Sequence, residues 1–309
     1  MLILILVLSV LLTIAGYTIY LFNKKIVSLQ NNNLQIEKNY KRNEMKSIRD
    51  LDMARRIQSG LLVFNKIQHK NFQLSAVCYP AEKIGGDFFL LQKNITNTLE
   101  KREHADPSII CIKNNKEETL DFAIGDVSGH GVASALVMIL AKNTIDNLFQ
   151  ERHSPKKIMQ IANKKLIEYT EGSAINFVTV FGGMLDVSNN KFTYSKAGHT
   201  APLLFRKNGD ILSLETEGVF LGMFANPEFE EKEITLERGD KLFLYTDGLN
   251  EAKNNKDELL GVQKLTEIVK RNIWLSGDAF FAKIMEEIKD YAGGIPLGDD
   301  ITMVFLEVN

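Results

Sequence analysis

The chain has 309 residues, enough to bury one large core or two modest ones. Its formal net charge of −2 gives no global electrostatic reason to expect nucleic acid or an acidic partner. Two cysteines, Cys78 and Cys111, are too few for a disulfide framework and fit a reducing compartment.

The chain opens on "MLILILVLSVLLTIAGYTIYLF", 22 residues without a charged side chain. As a helix this run would be about 33 Å long, close to the hydrocarbon thickness of a bilayer. The alternative is a cleaved signal peptide. However, no Lys or Arg precedes the run, and bulky residues continue through Tyr20 and Phe22. Lys24 and Lys25 follow at once, so a single-pass anchor over residues 1–22 would leave the remainder in the cytoplasm, at the cytoplasmic membrane.

Residues 23–62 read as a helical linker, rich in helix formers and free of proline, with no glycine before Gly60. Ile26, Leu29, Ile36 and Tyr40 fall at helical spacing, as do Met45, Ile48, Leu51, Ala54, Ile57 and Leu61. The two series do not share one register. Two readings stay open: a solvated spacer, or a short parallel coiled coil with a stutter that pairs two chains into a homodimer.

From about Phe72 the texture becomes β-like. "TLDFAIGDV", "NFVTVFGGMLDV", "KFTYSKAG", "PLLFRKNGDILSL", "KLFLYTDG" and "ITMVFLEV" are strand candidates, with Asn208-Gly209 at a hairpin turn. "VASALVMILAKNTIDNLF" and "SPKKIMQIANKKLIEYT" are helical, the second with Ser154 as N-cap and Pro155 at the first helical position. "DELLGVQKLTEIVKRN" and "DAFFAKIMEEIKDYAG" are helical patterns near the end. Strands adjoin strands and helices adjoin helices, so residues 63–309 are expected to be an α+β domain of antiparallel sheets with segregated helices. Residues 92–119 are polar and read as an irregular surface insertion.

Acids recur beside glycine at the edges of the apolar runs: Asp87 in "IGGDFF", Asp126 in "AIGDVSG", Asp247 in "LYTDGL", and Asp299 with Asp300 in "LGDDITMVF". Each alone is explained by turn chemistry. Several converging would need a cation between them, and oxygen ligands without clustered His or Cys suit Mg²⁺ or Mn²⁺ rather than zinc. "GDVSGHG" has neither the Lys-Ser/Thr of a P-loop nor the alternating oxygens of an EF-hand. His130 and His199 read as turn or supporting residues rather than ligands.

Seven motifs in order resemble one family: "IGGDFF", "AIGDVSGHGVASALVM", "FVTVFGGMLD", "AGHTAPLL", "GVFLGM", "RGDKLFLYTDGLNEA" and "DDITMVFLEV". Together with the helix "ARRIQSGLL" they are similar to bacterial PPM-type (PP2C-like) serine/threonine phosphatases of the SpoIIE/RsbU group, over roughly residues 50–307. The resemblance implies an α-β-β-α sandwich of two antiparallel sheets flanked by helices, with a centre of two divalent cations, Mn²⁺ or Mg²⁺. It implies that Asp126 bridges the metals, that the Val127 backbone carbonyl is a ligand, and that Asp247 and Asp299 hold the other metal. By the same resemblance Asp87 would lie at or just behind the ligand set. Asp126, Asp247 and Asp299 would then act in catalysis through the metal-bound water.

The resemblance also implies a regulatory role for the linker helix, here Ala54, Ile57, Gln58 and Leu61. The implied substrate is a phosphoserine or phosphothreonine protein, typically a STAS-domain anti-anti-sigma factor. Three positions depart from the pattern. Leu90 stands where the family usually has an acid, and Val63 where the helix motif commonly ends in proline. Glu82 replaces the arginine of eukaryotic relatives, which leaves Lys83 as the candidate for the substrate phosphate. The rival reading is a catalytically weak pseudophosphatase, a membrane-tethered module that binds phosphoproteins without turning them over.

Overall fold

The computed structural model describes residues 1–62, 66–103, 110–129, 131–171 and 177–309. Val63 and His130, both singled out above, lie outside the described residues. Residues 1–54 and 55–309 form two compact units.

The first unit is helical from Leu2 onward and belongs to α1 (Leu2–Leu61). Leu6, Leu12, Tyr17 and Phe22 are all exposed, so the helix is apolar on every side through its first six turns. A helix of that kind has no face to turn toward water, and α1 is long and apolar enough to cross a membrane. The linker residues Ile26, Leu29, Ile36, Tyr40, Met45 and Ile48 are likewise exposed.

The second unit contains β1 (Lys66–Gln68), β2 (Phe72–Tyr79), β3 (Phe88–Glu103) and β4 (Ile110–Val127). Then come α2 (Val132–Gln150), α3 (Pro155–Thr170), β5 (Val178–Asp186), β6 (Lys191–Ala197), β7 (Leu203–Phe205) and β8 (Ile211–Ser213). The C-terminal part comprises β9 (Glu231–Thr235), β10 (Lys241–Tyr245), α4 (Asp247–Asn250), α5 (Gly261–Asn272), α6 (Gly277–Ala292) and β11 (Ile301–Val308). One sheet runs β1-β2-β11-β10-β7-β8 and the other β3-β4-β5-β6-β9, with every strand pair antiparallel.

Side-chain alternation along each strand builds four layers. Leu242 and Leu244 of β10, Val304 and Leu306 of β11, and Leu120, Phe122 and Ile124 of β4 share the core between the sheets. The alternate residues Phe243, Tyr245, Met303 and Phe305 face α5 and α6, where Leu265, Phe280, Ile284 and Ile288 cover them. On the other side Phe88, Leu90 and Ala123 pack with Met138, Ala141 and Ile145 of α2 and Met159 and Ala162 of α3. The expected sandwich is therefore present. Both sheets are covered on both faces, so their strands read as near-continuous apolar runs. Leu90 is 3% exposed, a core residue under α2 and α3, which accounts for an apolar side chain there. Helix α2 is also long and apolar enough to span a membrane, but half of that stretch is buried in this layer.

Two expectations change. The 92–119 segment is not irregular where it is described: β3 and β4 stay paired from Phe88↔Gly125 out to Glu103↔Ile110, extending the hairpin beyond the sheet. The β-branched Ile95, Thr96, Thr98, Ile110 and Ile112 supply strand propensity that a count of polar residues overlooks. Helix α5 begins at Gly261 rather than Asp257, because the Asn254 side chain accepts the N–H groups of Lys256 and Glu258 at 2.8 and 3.1 Å and folds them into a turn.

Candidate active site

The sheets deliver their acids at strand ends. Asp126 is the penultimate residue of β4, and Asp87 immediately precedes β3, the neighbouring strand. Asp247 follows β10 by two residues and opens α4, while Asp299 precedes β11 by two. The β10–β11 ladder continues one step further, with Thr246 N–H donating to the Thr302 carbonyl at 3.1 Å and Thr302 N–H to Thr246 Oγ1 at 2.9 Å. Thr246 Oγ1 then donates across to Asp87 Oδ2 at 2.7 Å, joining the two sheets inside the site.

Close backbone approach draws the remaining groups in. A Cβ on Gly86 would lie 2.7 Å from the Val127 carbonyl oxygen and 3.5 Å from Asp126 Oδ1. One on Gly248 would lie 2.1 Å from the Asp300 carbonyl oxygen and 3.2 Å from Asp299 Cβ. Glycine is required at both places because a side chain would fill the space these groups share. Asp300 N–H donates to Asp299 Oδ1 at 2.8 Å.

The electrostatics follow from this crowding. Asp126 is pushed up to about 7, first by burial and then by the charges of Asp247, Asp299 and Asp300. Asp87, 2% exposed, is raised well above the usual carboxylate range by burial and by Asp126. Burial, with Glu251, raises Asp247. Among the described residues no ion pair reaches Asp87, Asp126 or Asp247. Nor do three acid, histidine or cysteine side chains among them enclose a point tightly enough to cage an ion alone. Asp87, Asp126 and Asp247, with no ion pair among the described residues and the Val127 carbonyl beside them, fit a hard cation that keeps much of its water and takes only one or two carboxylates from the protein.

Asp300 has a different task. Its Oδ1 accepts Ala81 N–H at 2.8 Å, and its Oδ2 accepts Gly86 N–H at 2.7 Å and Asp87 N–H at 3.4 Å. Both oxygens are occupied in clamping the loop that carries Asp87. The other side of this loop is held by Gln58, which is buried. Gln58 Nε2 donates to the Gly85 carbonyl at 2.6 Å, and Gly85 N–H donates to Gln58 Oε1 at 3.2 Å. A cavity of about 270 Å³ runs from Arg55, Gln58 and Ser59 past Cys78 to Asp87.

The tertiary structure thus brings together Asp87, Asp126, the Val127 carbonyl, Asp247 and Asp299. Lys83 stands exposed on the turn that Asp300 clamps. In the helix, Gln58 docks and Leu61 is half-buried, whereas Ile57 is 59% exposed. Ala54 belongs to the first unit. Two supporting residues escaped sequence reading, Thr246 and the clamping role of Asp300. Their only signal was adjacency to Asp247 and Asp299.

The family model for Stage II sporulation protein E (SpoIIE) matches residues 116–309. The chain is 24% identical over 267 residues to phosphoserine phosphatase RsbU of Bacillus subtilis (strain 168), covering 85% of this chain and 70% of RsbU. Two further curated relatives are spanned over less than half their length. Among solved structures, the SiaA-PP2C domain of Pseudomonas aeruginosa superposes with a TM-score of 0.66 at 19% identity, over 86% of this chain and 98% of that one. RsbX, solved in complex with magnesium, gives 0.54 at 16% identity, over 79% and 99%.

Proposed function

The chain belongs to the SpoIIE family of PP2C-type phosphatases, and from that premise we propose that it is a membrane-anchored, metal-dependent phosphatase of phosphoserine or phosphothreonine on a cytosolic protein. One observation carries the reading: Asp87, Asp126 and Asp247, from strand ends in both sheets, are crowded into one site with no ion pair to any of the three among the described residues.

Asp126, Asp247, Asp299 and the Val127 carbonyl are the residues that would hold two divalent cations, Mn²⁺ or Mg²⁺, with Asp87 beside them. Cations bound there supply a water acidified toward neutral pH and neutralise the phosphate. The chain's own part is positional. Asp300 and Gln58 fix the Gly85–Asp87 loop, Thr246 orients the Asp87 carboxyl, and rigid strand ends aim Asp126 and Asp247. Lys83, exposed beside this loop, is our choice for the substrate phosphate.

The apolar N-terminal helix supports an anchor over residues 1–22, and the exposed apolar side chains of residues 23–62 support pairing of two copies into a coiled coil. The likeness to phosphoserine phosphatase RsbU supports a phosphoserine substrate, and a STAS-domain anti-anti-sigma factor is our choice for the protein that carries it.

The purified full chain in detergent is expected to hydrolyse p-nitrophenyl phosphate, and to lose that activity more than about hundredfold with EDTA. Mn²⁺ or Mg²⁺ should restore it. Hydrolysis indifferent to EDTA would overturn the proposal. Replacing Gln58 by Ala frees Gly85 from the helix. The Mn²⁺ concentration for half-maximal activity is then expected to rise about tenfold, measured by metal titration.

A further inference from the structure

His199 and Thr200 take no part in the site described so far, yet they lie between its two halves. Strand β6 ends at Ala197, and Gly198 then turns with φ +66°. A Cβ there would meet Phe220 at 2.3 Å, so both backbone conformation and packing demand glycine. The turn sends His199 into the protein, where it is 4% exposed. Its Nδ1 lies 2.8 Å from Thr179 Oγ1, and that hydroxyl is also 3.4 Å from the Asp126 carbonyl oxygen. Thr179 is the residue of β5 paired directly with Asp126 of β4. The next residue points the other way: Thr200 Oγ1 donates to the carbonyl of Tyr245, the last residue of β10, two before Asp247.

The dipeptide therefore touches the acid-bearing end of β10 directly and reaches that of β4 through Thr179 of β5, and β4 and β10 belong to different sheets. His199 Nε2 is buried and makes no hydrogen bond of good geometry among the described residues, while the Tyr245 carbonyl lies close enough to act on the ring. Burial pushes its imidazolium down to about 3, with the Tyr245 carbonyl opposing, so the ring stays neutral and able both to donate and to accept.

We propose that His199 and Thr200 are positioning residues, a strut that sets the separation of Asp126 from Asp247 by linking the Asp126 backbone, through Thr179, to the Tyr245 backbone. The inference rests on the metal-phosphatase reading, because the separation matters only if both acids serve one centre. A carboxylate held a fraction of an ångström off its place loses much of its affinity for a cation, and supporting hydrogen bonds of this kind change metal affinity by about 10–100-fold.

The test is Mn²⁺ affinity, measured by calorimetry on the full chain in detergent micelles, beside thermal unfolding of the metal-free protein. Thr179→Val removes the linking hydroxyl while keeping shape and branching, and should weaken Mn²⁺ binding about tenfold or more. Thr179→Ser, which restores the hydroxyl, should recover most of that loss. Thr200→Val should weaken binding comparably from the other arm. Should Thr179→Val fail to fold, Thr200→Val with Thr200→Ser as its rescue carries the same comparison. Mn²⁺ binding by folded Thr179→Val and Thr200→Val equal to wild type would overturn the strut alone. Equal loss in the Val and Ser variants would overturn it too, since bulk and not the hydroxyl would then matter. A wild-type chain that binds no Mn²⁺ would overturn the strut and the phosphatase reading together.

Discussion

Asp126→Asn is expected to lose phosphoester hydrolysis by more than about hundredfold and, in the metal-free protein at pH 8, to melt higher than wild type. The two effects share one cause. Asp126 sits among Asp87, Asp247, Asp299 and Asp300, and its carboxyl rises from 3.8 to about 7. Without cations, the folded chain keeps this proton to higher pH than the unfolded chain does. The group's stabilising contribution is therefore complete below about pH 4 and is lost as pH climbs toward 7. Asparagine keeps the shape and removes the repulsion, so that segment of the stability–pH curve should flatten. The same change removes the acid proposed to bridge the cations. Differential scanning calorimetry from pH 4 to 8 with EDTA, paired with p-nitrophenyl phosphate kinetics in Mn²⁺, measures both. A variant as active as wild type would defeat the proposed bridging role. An unchanged pH profile would defeat the account of the electrostatics.

Asp300→Ala should be the most damaging change beside the site to stability. It strands the N–H groups of Ala81, Gly86 and Asp87, which have Asp300 oxygens as acceptors. Leaving the buried Gly86 and Asp87 donors unpaired costs about 1–3 kcal/mol each, the exposed Ala81 less, and relief of repulsion on Asp126 offsets only part of that. A net loss of about 3 kcal/mol corresponds to a fall of about 10 °C in melting temperature for a unit of this size. Activity should fall with it, because the loop carrying Asp87 loses one of its two supports. Asp300→Asn keeps one acceptor oxygen and should fall between Ala and wild type. Melting of Asp300→Ala within 2 °C of wild type, on the scale just cited, would show that the clamp contributes little.

Much of the fold was legible from local pattern. Runs such as "KLFLYTDG" and "ITMVFLEV" became β10 and β11, and Ser154-Pro155 opened α3 with the Ser154 side chain accepting Lys157 N–H. Strand β9, "EKEIT", went unread because an edge strand with little burial carries no apolar signal. The β3–β4 extension was misread for a related reason: pairing between two strands supplies what composition alone lacks. At the site, the repeated acid–glycine pairs marked acids that the fold draws close together. Their division of labour was illegible. Asp299 and Asp300 are chain neighbours, yet Asp300 has both oxygens committed to backbone N–H groups more than two hundred residues away.

By itself the sequence determined the kinds of element, the family, and which acids stand at strand ends, because periodicity, turn chemistry and motif order are written in neighbouring residues. Only the tertiary structure decided which of those acids share one space, which one clamps a loop, and that His199 and Thr200 lie between the sheets. Hydrogen bonds such as Thr246 to Asp87 and Thr179 to His199 join positions remote in the chain, and burial and mutual repulsion arise only once packing has brought those positions together.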